Sequence, residues 1–153
     1  MEEKEDNLEL RIRRSFDQQG FMRTIGAELL VARPGEVEIG LRHLSALTQQ
    51  HGYVHGAVVA AIGDTACGYS ALTLMPEGAE VVSVEYKVNF IAPARGDRFL
   101  ARGRVLKSGR SLSVCAGDVF AVDDNGERLI ASLQATMMRV MASNEVAPAN
   151  PSN

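Results

Sequence analysis

The chain has 153 residues, 46% hydrophobic and 23% charged, which is the make-up of one ordinary globular domain with no sign of a second. Its net charge is −3, with acidic and basic residues interspersed; this excludes nucleic acid as the main partner, because phosphate binding needs a basic excess on one face. The opening MEEKEDNLELRIRRSF is charged and lacks the apolar core of a signal peptide.

Leu8, Ile12 and Phe16 recur at four-residue spacing, so residues 1–20 read as an amphipathic helical segment stopped by Gly20. A strand is expected over Thr24 to Ala32. Pro34-Gly35 then turns the chain into EVEIGL, where Val37, Ile39 and Leu41 alternate with Glu36, Glu38 and Gly40. In VVSVEYKVNFI the period is two: Val82, Val84, Tyr86, Val88 and Phe90 are predicted on one face, and Ser83, Glu85, Lys87 and Asn89 on the other. Three more strands are predicted near 97–106, 111–122 and 127–139. Their connections, Pro93 to Gly96, Ser108-Gly109 and Asp123 to Gly126, have turn chemistry, and short connections predict antiparallel neighbours. Residues 141–153, polar and Pro-rich, are expected to be a disordered tail. Cys67 and Cys115 lie in apolar segments without metal-type spacing; they read as buried, reduced thiols, and a cytoplasmic location is the default.

Between these strands lies QQHGYVHGAVVAAIGDTACGYSALTL, residues 49–74. Val54 to Leu74 would measure about 31 Å as a helix, enough to span a bilayer. Against that, Asp64 at mid-span would cost about 2.5–3.5 kcal/mol, and no basic cluster flanks the segment. His51 and His55 have the spacing of half a zinc-protease motif, but Gly52 stands where the catalytic glutamate belongs, and a third ligand would have to come from distant His43. Neither a membrane span nor a metal site is expected. A helix apolar all round must be wrapped by other structure. The fold class that follows is α+β, with a hot-dog domain over 21–140: a long central helix wrapped by a curved antiparallel sheet of about six strands.

Burying the Asp64 carboxylate is costly unless it is hydrogen-bonded or functional. At the start of the same helix the backbone N–H groups around His55-Gly56 are free to donate, and Gly56 lets a ligand come close. That is the arrangement needed to hold the oxyanion of an ester or thioester under attack. Gly56 and Asp64 are about 12 Å apart along one helix axis, so a single helix cannot bring both to one carbonyl. If they cooperate, they come from two copies of the chain.

QQHGYVHGAVVAAIGDTACGYSA, VVSVEYKVNFIAPARGD and LKSGRSLSVCAGDVF, taken in order, resemble the PaaI-type hot-dog acyl-CoA thioesterases over residues 20–139. The resemblance implies metal-independent hydrolysis of an acyl-CoA, with coenzyme A part of the substrate and no separate cofactor. It implies a homodimer, or a tetramer made of dimers, with sites at the dimer interface. By position Asp64 would be general base or nucleophile and Gly56 the oxyanion donor. Gln49 would orient water or thioester, His55 would order the turn, and Ser83 would assist the attacking water. Ala57 departs from the usual second glycine of His-Gly-Gly. For coenzyme A the resemblance points to Asn89, Phe90, Pro93 and Arg95, and to the turn Lys107-Ser108-Gly109-Arg110, which offers two cations and backbone N–H groups. Arg98, Arg102 and Arg104 share a strand face and read as a solvated stripe. The alternatives are a non-catalytic acyl-CoA-binding protein, which would have little use for Asp64, and a hot-dog hydratase or dehydratase. A hydratase would need a histidine five residues after the acid, where this chain has Tyr69.

Overall fold

The computed structural model describes residues 2–141. Six antiparallel strands form one sheet in the order β1-β2-β4-β5-β6-β3, gripping a central helix: the hot-dog fold. The elements are α1 (Glu2–Asp17), α2 (Gly20–Ile25), β1 (Ala27–Arg33), β2 (Glu36–Arg42), α3 (Gly56–Leu72), β3 (Ala79–Phe90), β4 (Arg98–Ser108), β5 (Leu112–Asp123) and β6 (Gly126–Met141).

The first helix forms as its spacing predicts, with Ile12 and Phe16 buried in the main core. Gly20 does not simply end it. A second short helix follows, burying Met22 and Ile25 and closing at Gly26 in the left-handed conformation (φ +74°). The first strand therefore begins at Ala27 rather than at Thr24. The Arg11 guanidinium donates to the carbonyls of Leu72 (2.9 Å), Pro76 (3.2 Å) and Met75 (3.3 Å), satisfying acceptors at and just beyond the C-terminal end of α3. This clamps α1 to the central helix. The tail expectation falls on residues 142–153, outside the described residues, while Met141 is the last residue of β6.

The α3 segment seats on the sheet through glycines. A methyl group at Gly103 of β4 would lie 2.3 Å from the Ala66 carbonyl, and one at Gly117 of β5 would lie 2.8 Å from Cys67 Sγ. Gly63 likewise admits the Leu133 side chain, whose tip would lie 2.7 Å from an added Cβ. At Gly103 backbone thus meets backbone across the layer, and with the close side-chain contacts at Gly117 and Gly63 this fixes the height and rotation of the helix. Among the described residues no helix is long and apolar enough to cross a membrane.

Two expectations about strands are corrected. The β3–β4 connection is short, yet the strands are not neighbours: β3 pairs with β6 at one edge, and β4 lies between β2 and β5. The linking segment runs along the sheet end instead, with the amides of Ile91 and Asp97 donating to Ile130 and Val122. Second, the β3–β6 register slips between Ser83 and Glu85. Val84 is the extra residue of a bulge, and the strand changes parity there. Ser83, opposite Met137, therefore shares the helix-facing side with Tyr86, Val88 and Phe90, opposite Ala135, Leu133 and Ala131, rather than lying with Glu85, Lys87 and Asn89. Arg102 and Arg104 also differ from a free stripe. Arg102 is held by Glu38 and Glu127 above the Phe120 ring, and Arg104 by Asp118.

Candidate active site

The bulge decides what Asp64 meets. Because Val84 shifts the parity of β3, the Ser83 hydroxyl turns toward α3 and donates to Asp64 Oδ1 at 2.8 Å. Asp64 is half-buried, and its second oxygen has no partner among the described residues. Burial raises its pKa above the usual carboxylate value, and the Ser83 hydrogen bond partly opposes that rise. Such a carboxyl is a stronger base when ionised than an exposed aspartate, and its free oxygen can take a proton from water or attack directly.

Asp64 opens on a cavity of about 370 Å³. Gly68 and Leu72, on the same helical stripe, make its floor; β3 supplies one side and α1 the other. Sequence reasoning missed this second wall. Tyr69 Oη accepts a hydrogen bond from Gln19 Nε2 at 3.0 Å and lies 3.2 Å from Ser15 Oγ, so the end of α1 and its link to α2 reach into the cavity that holds the acid. One signal was available: Tyr69 is a polar-tipped residue in an apolar run, just beyond Asp64.

The start of α3 forms a separate pocket of about 150 Å³, lined by Gln49, Tyr53, Gly56, Phe90 and Pro93 among others. His55 is the N-cap, its Nδ1 accepting from the Ala57 amide at 2.9 Å. The Gly56 amide, by contrast, has no acceptor among the described residues. A methyl group at Gly56 would lie 3.2 Å from the Phe90 ring, so the glycine is what lets that ring pack close to the start of α3. Gln49 accepts from the His51 amide through its side-chain oxygen, leaving its NH₂ group for the pocket.

The predicted site residues therefore fall into two clusters, Asp64 with Ser83 and Gly56 with Gln49, His55, Phe90 and Pro93. Of the remaining candidates, Arg95 stacks on the Tyr53 ring (5.1 Å) and donates to Tyr53 Oη. Arg128, which no sequence signal marked, braces this loop by donating to the carbonyls of Arg95 (2.9 Å) and Pro93 (3.4 Å). Asn89 is exposed on the outward face of β3 and lines neither pocket. Lys107, Ser108, Gly109 and Arg110 are exposed at the β4–β5 turn, away from both pockets. The Gly109 amide is not free there, since it donates to Leu112 O at 2.9 Å. His51 and His43 are exposed, and the described residues contain no group of three His, Cys, Asp or Glu able to hold a metal ion.

A central helix carrying a half-buried acid, with an open amide at its N-terminus and an antiparallel sheet around it, defines a hot-dog protein. The chain matches the Thioesterase superfamily over residues 51–127, half of its length, and belongs to that family; hydrolysis is the general chemistry this membership supports. It is 44% identical to a thioesterase family protein of Silicibacter pomeroyi, covering 88% of this chain and 99% of that one, with a TM-score of 0.86. It is 31% identical over 108 residues to a Saccharolobus solfataricus protein provisionally named an esterase, covering 71% and 70% of the two chains. The PaaI protein of E. coli, from the phenylacetic acid degradation operon, shares the fold at a TM-score of 0.80 but only 16% identity, over 91% of this chain and 97% of that one.

Proposed function

We propose that the protein is an acyl-CoA thioesterase, hydrolysing a coenzyme A thioester to a free acid and coenzyme A without a metal or separate cofactor. The observation that carries this reading is Asp64: a half-buried carboxyl, raised in pKa by burial, with one oxygen held by Ser83 and the other free beside a substrate-sized cavity. It acts as general base for water or as the nucleophile. The Gly56 amide of the partner subunit stabilises the oxyanion, with Gln49 and His55 shaping that donor's surroundings.

A homodimer, alone or paired into a tetramer, makes the two half-sites into whole ones. Among the described residues β3 is an edge strand with no second neighbour, and it leaves Val82, Val84, Tyr86 and Phe90 between 42% and 56% exposed. Such an edge normally needs covering. Antiparallel pairing of two β3 edges about their middle, near Tyr86, sets Ser83 of one copy against Phe90 of the other. Asp64 then faces the partner subunit's Gly56, which the spacing of about 12 Å along α3 forbids within one chain. Coenzyme A would meet Arg95 and the Phe90–Pro93 stretch near the amide. The nucleotide phosphates would extend toward the Lys107–Arg110 turn, whose Ser108 stands three strands from Ser83 in the same sheet row. Buried reduced thiols fit action in the cytoplasm.

The test is release of free thiol from a panel of acyl-CoAs by the parent protein and by Asp64→Asn. The parent turns over at least one acyl-CoA, and the variant loses at least about a hundredfold in kcat/KM. Equal rates for both would remove Asp64 from the mechanism. A parent that binds acyl-CoA and releases no thiol would favour the non-catalytic alternative.

A further inference from the structure

The cavity beside Asp64 is an unusual acyl pocket in being walled largely by polar groups, and its far end is built from Ser15 of α1 and from Gln18 and Gln19 in the link to α2. Tyr69 is 4% exposed, its ring against Phe16 at 5.8 Å between centroids. Its hydroxyl oxygen accepts from Gln19 and faces Ser15 Oγ. Two hydroxyl hydrogens share that one oxygen–oxygen contact, so one of them is left to donate elsewhere. Ser15, Gln19 and Tyr69 all line the cavity, and among the described residues neither hydroxyl has a further acceptor, so the spare hydrogen is available to a group bound there. The electrostatics are one-sided: Asp64 and Glu80 line the cavity, and no lysine or arginine does. Tyr69 stands five residues beyond Asp64, about 7.5 Å along the axis. Between them Gly68 contributes no side chain; the nearest atoms to an added Cβ are 3.9 Å away on Met137 and Val81, leaving the floor open.

The geometry points to a substrate class: acyl groups of medium length bearing a neutral hydrogen-bonding substituent, such as a hydroxyl, at the end remote from the thioester, read by Tyr69, Ser15 and Gln19. This rests on the thioesterase reading and refines it. With the thioester carbonyl at Asp64, an acyl chain of about six carbons running over the open Gly68 floor spans about the 7.5 Å of helix axis to Tyr69 and so carries its remote end toward that residue. A hydrocarbon terminus there would leave the spare hydroxyl hydrogen of the cluster without an acceptor, and a carboxylate would face Asp64 and Glu80 with no cation lining the cavity to offset them. The α1 helix, clamped by Arg11, is then a specificity element of the site.

The test compares hexanoyl-CoA, 6-hydroxyhexanoyl-CoA and adipoyl-CoA. The parent prefers the hydroxyacyl substrate over the hexanoyl one by about tenfold in kcat/KM, the worth of one well-placed hydrogen bond, and disfavours adipoyl-CoA. Tyr69→Phe, which keeps the ring against Phe16, brings the hydroxyacyl-to-acyl ratio close to one, and Gln19→Met lowers it as well. A ratio of one or less in the parent, or one that Tyr69→Phe does not change, overturns the inference while leaving the thioesterase reading intact. If the parent hydrolyses none of the three, calorimetric titration of 6-hydroxyhexanoate against hexanoate gives the decision. Tighter binding of the hydroxy acid that Tyr69→Phe abolishes supports the pocket assignment independently of turnover; equal binding overturns it.

Discussion

Replacing Gly103 by alanine tests whether the seat of the central helix is what positions the acid. The added Cβ would lie 2.3 Å from both the carbonyl carbon and the oxygen of Ala66, and 2.7 Å from Cys67 N. These are backbone atoms in the middle of α3, and Gly103 is itself paired on both sides, with Val37 and Gly117. Neither partner can rotate away, so the helix must lift by roughly 1 Å to reach ordinary contact distance. Overpacking of this kind costs about 3 kcal/mol, which lowers Tm by roughly 6–12 °C in a chain of this size. The same lift displaces Asp64 from Ser83, and a misplacement of that order costs about a hundredfold in rate. Thermal unfolding and thiol release measured on one preparation check both effects. Gly20→Ala is the control: its Cβ would meet nothing nearer than Arg23 Nη2 at 4.0 Å, and stability should change by no more than about 0.5 kcal/mol. If Gly103→Ala unfolds with the parent and retains full activity, glycine seating does not fix the helix and the placement of Asp64 has another cause.

Asp64→Asn should stabilise the protein while disabling it. Burial raises the folded pKa of Asp64, so its stability contribution is complete below the unfolded value of about 3.9 and falls as pH rises through the higher folded value. The variant escapes that loss, and its Tm should exceed the parent's at pH 7, with the gap closing toward pH 4. A variant less stable than the parent at pH 7, or a gap independent of pH, contradicts the sign. Cys67, pushed up to about 12 by burial, and Cys115, raised by the same cause, are both 0% exposed. Neither should react with an aromatic disulfide reagent until denaturant is added, when both should; rapid labelling of the native protein would contradict their burial.

Much of the fold was legible because local chemistry and global packing agree. The apolar run of α3 demanded a wrapping sheet, and Pro34-Gly35 and Asp123 to Gly126 marked real hairpins. What stayed hidden was tertiary. Strict alternation in VVSVEYKVNFI carries no sign that Val84 is a bulge, because valine suits either parity, yet that bulge is what turns Ser83 toward Asp64. Turn residues at Pro93 to Gly96 said where the chain bends and nothing about which strand it would pair with next. The second wall of the cavity was invisible for a similar reason: Ser15 on α1 and Gln19 in the link to α2 are ordinary polar surface residues until Arg11 and Phe16 dock α1 beside Tyr69. That Asp64 and the Gly56 amide stand in separate pockets of one chain was reachable in advance, because helix rise alone sets the distance between them.

The claim that each site is shared between two copies is tested most directly by mixing disabled subunits. Gly56→Pro removes the oxyanion N–H at the first helical position, where proline is tolerated, and His55 already has an extended backbone suited to precede it (φ −60°, ψ 136°). Homodimers of Gly56→Pro and of Asp64→Asn are both predicted to be inactive. Co-expressed, they form a mixed dimer with one intact site, and random pairing restores about a quarter of the parent activity per chain. Restoration to that level is the predicted result. No recovery in mixed dimers shown to have formed, or full activity in a monomer of the parent, would contradict a shared site.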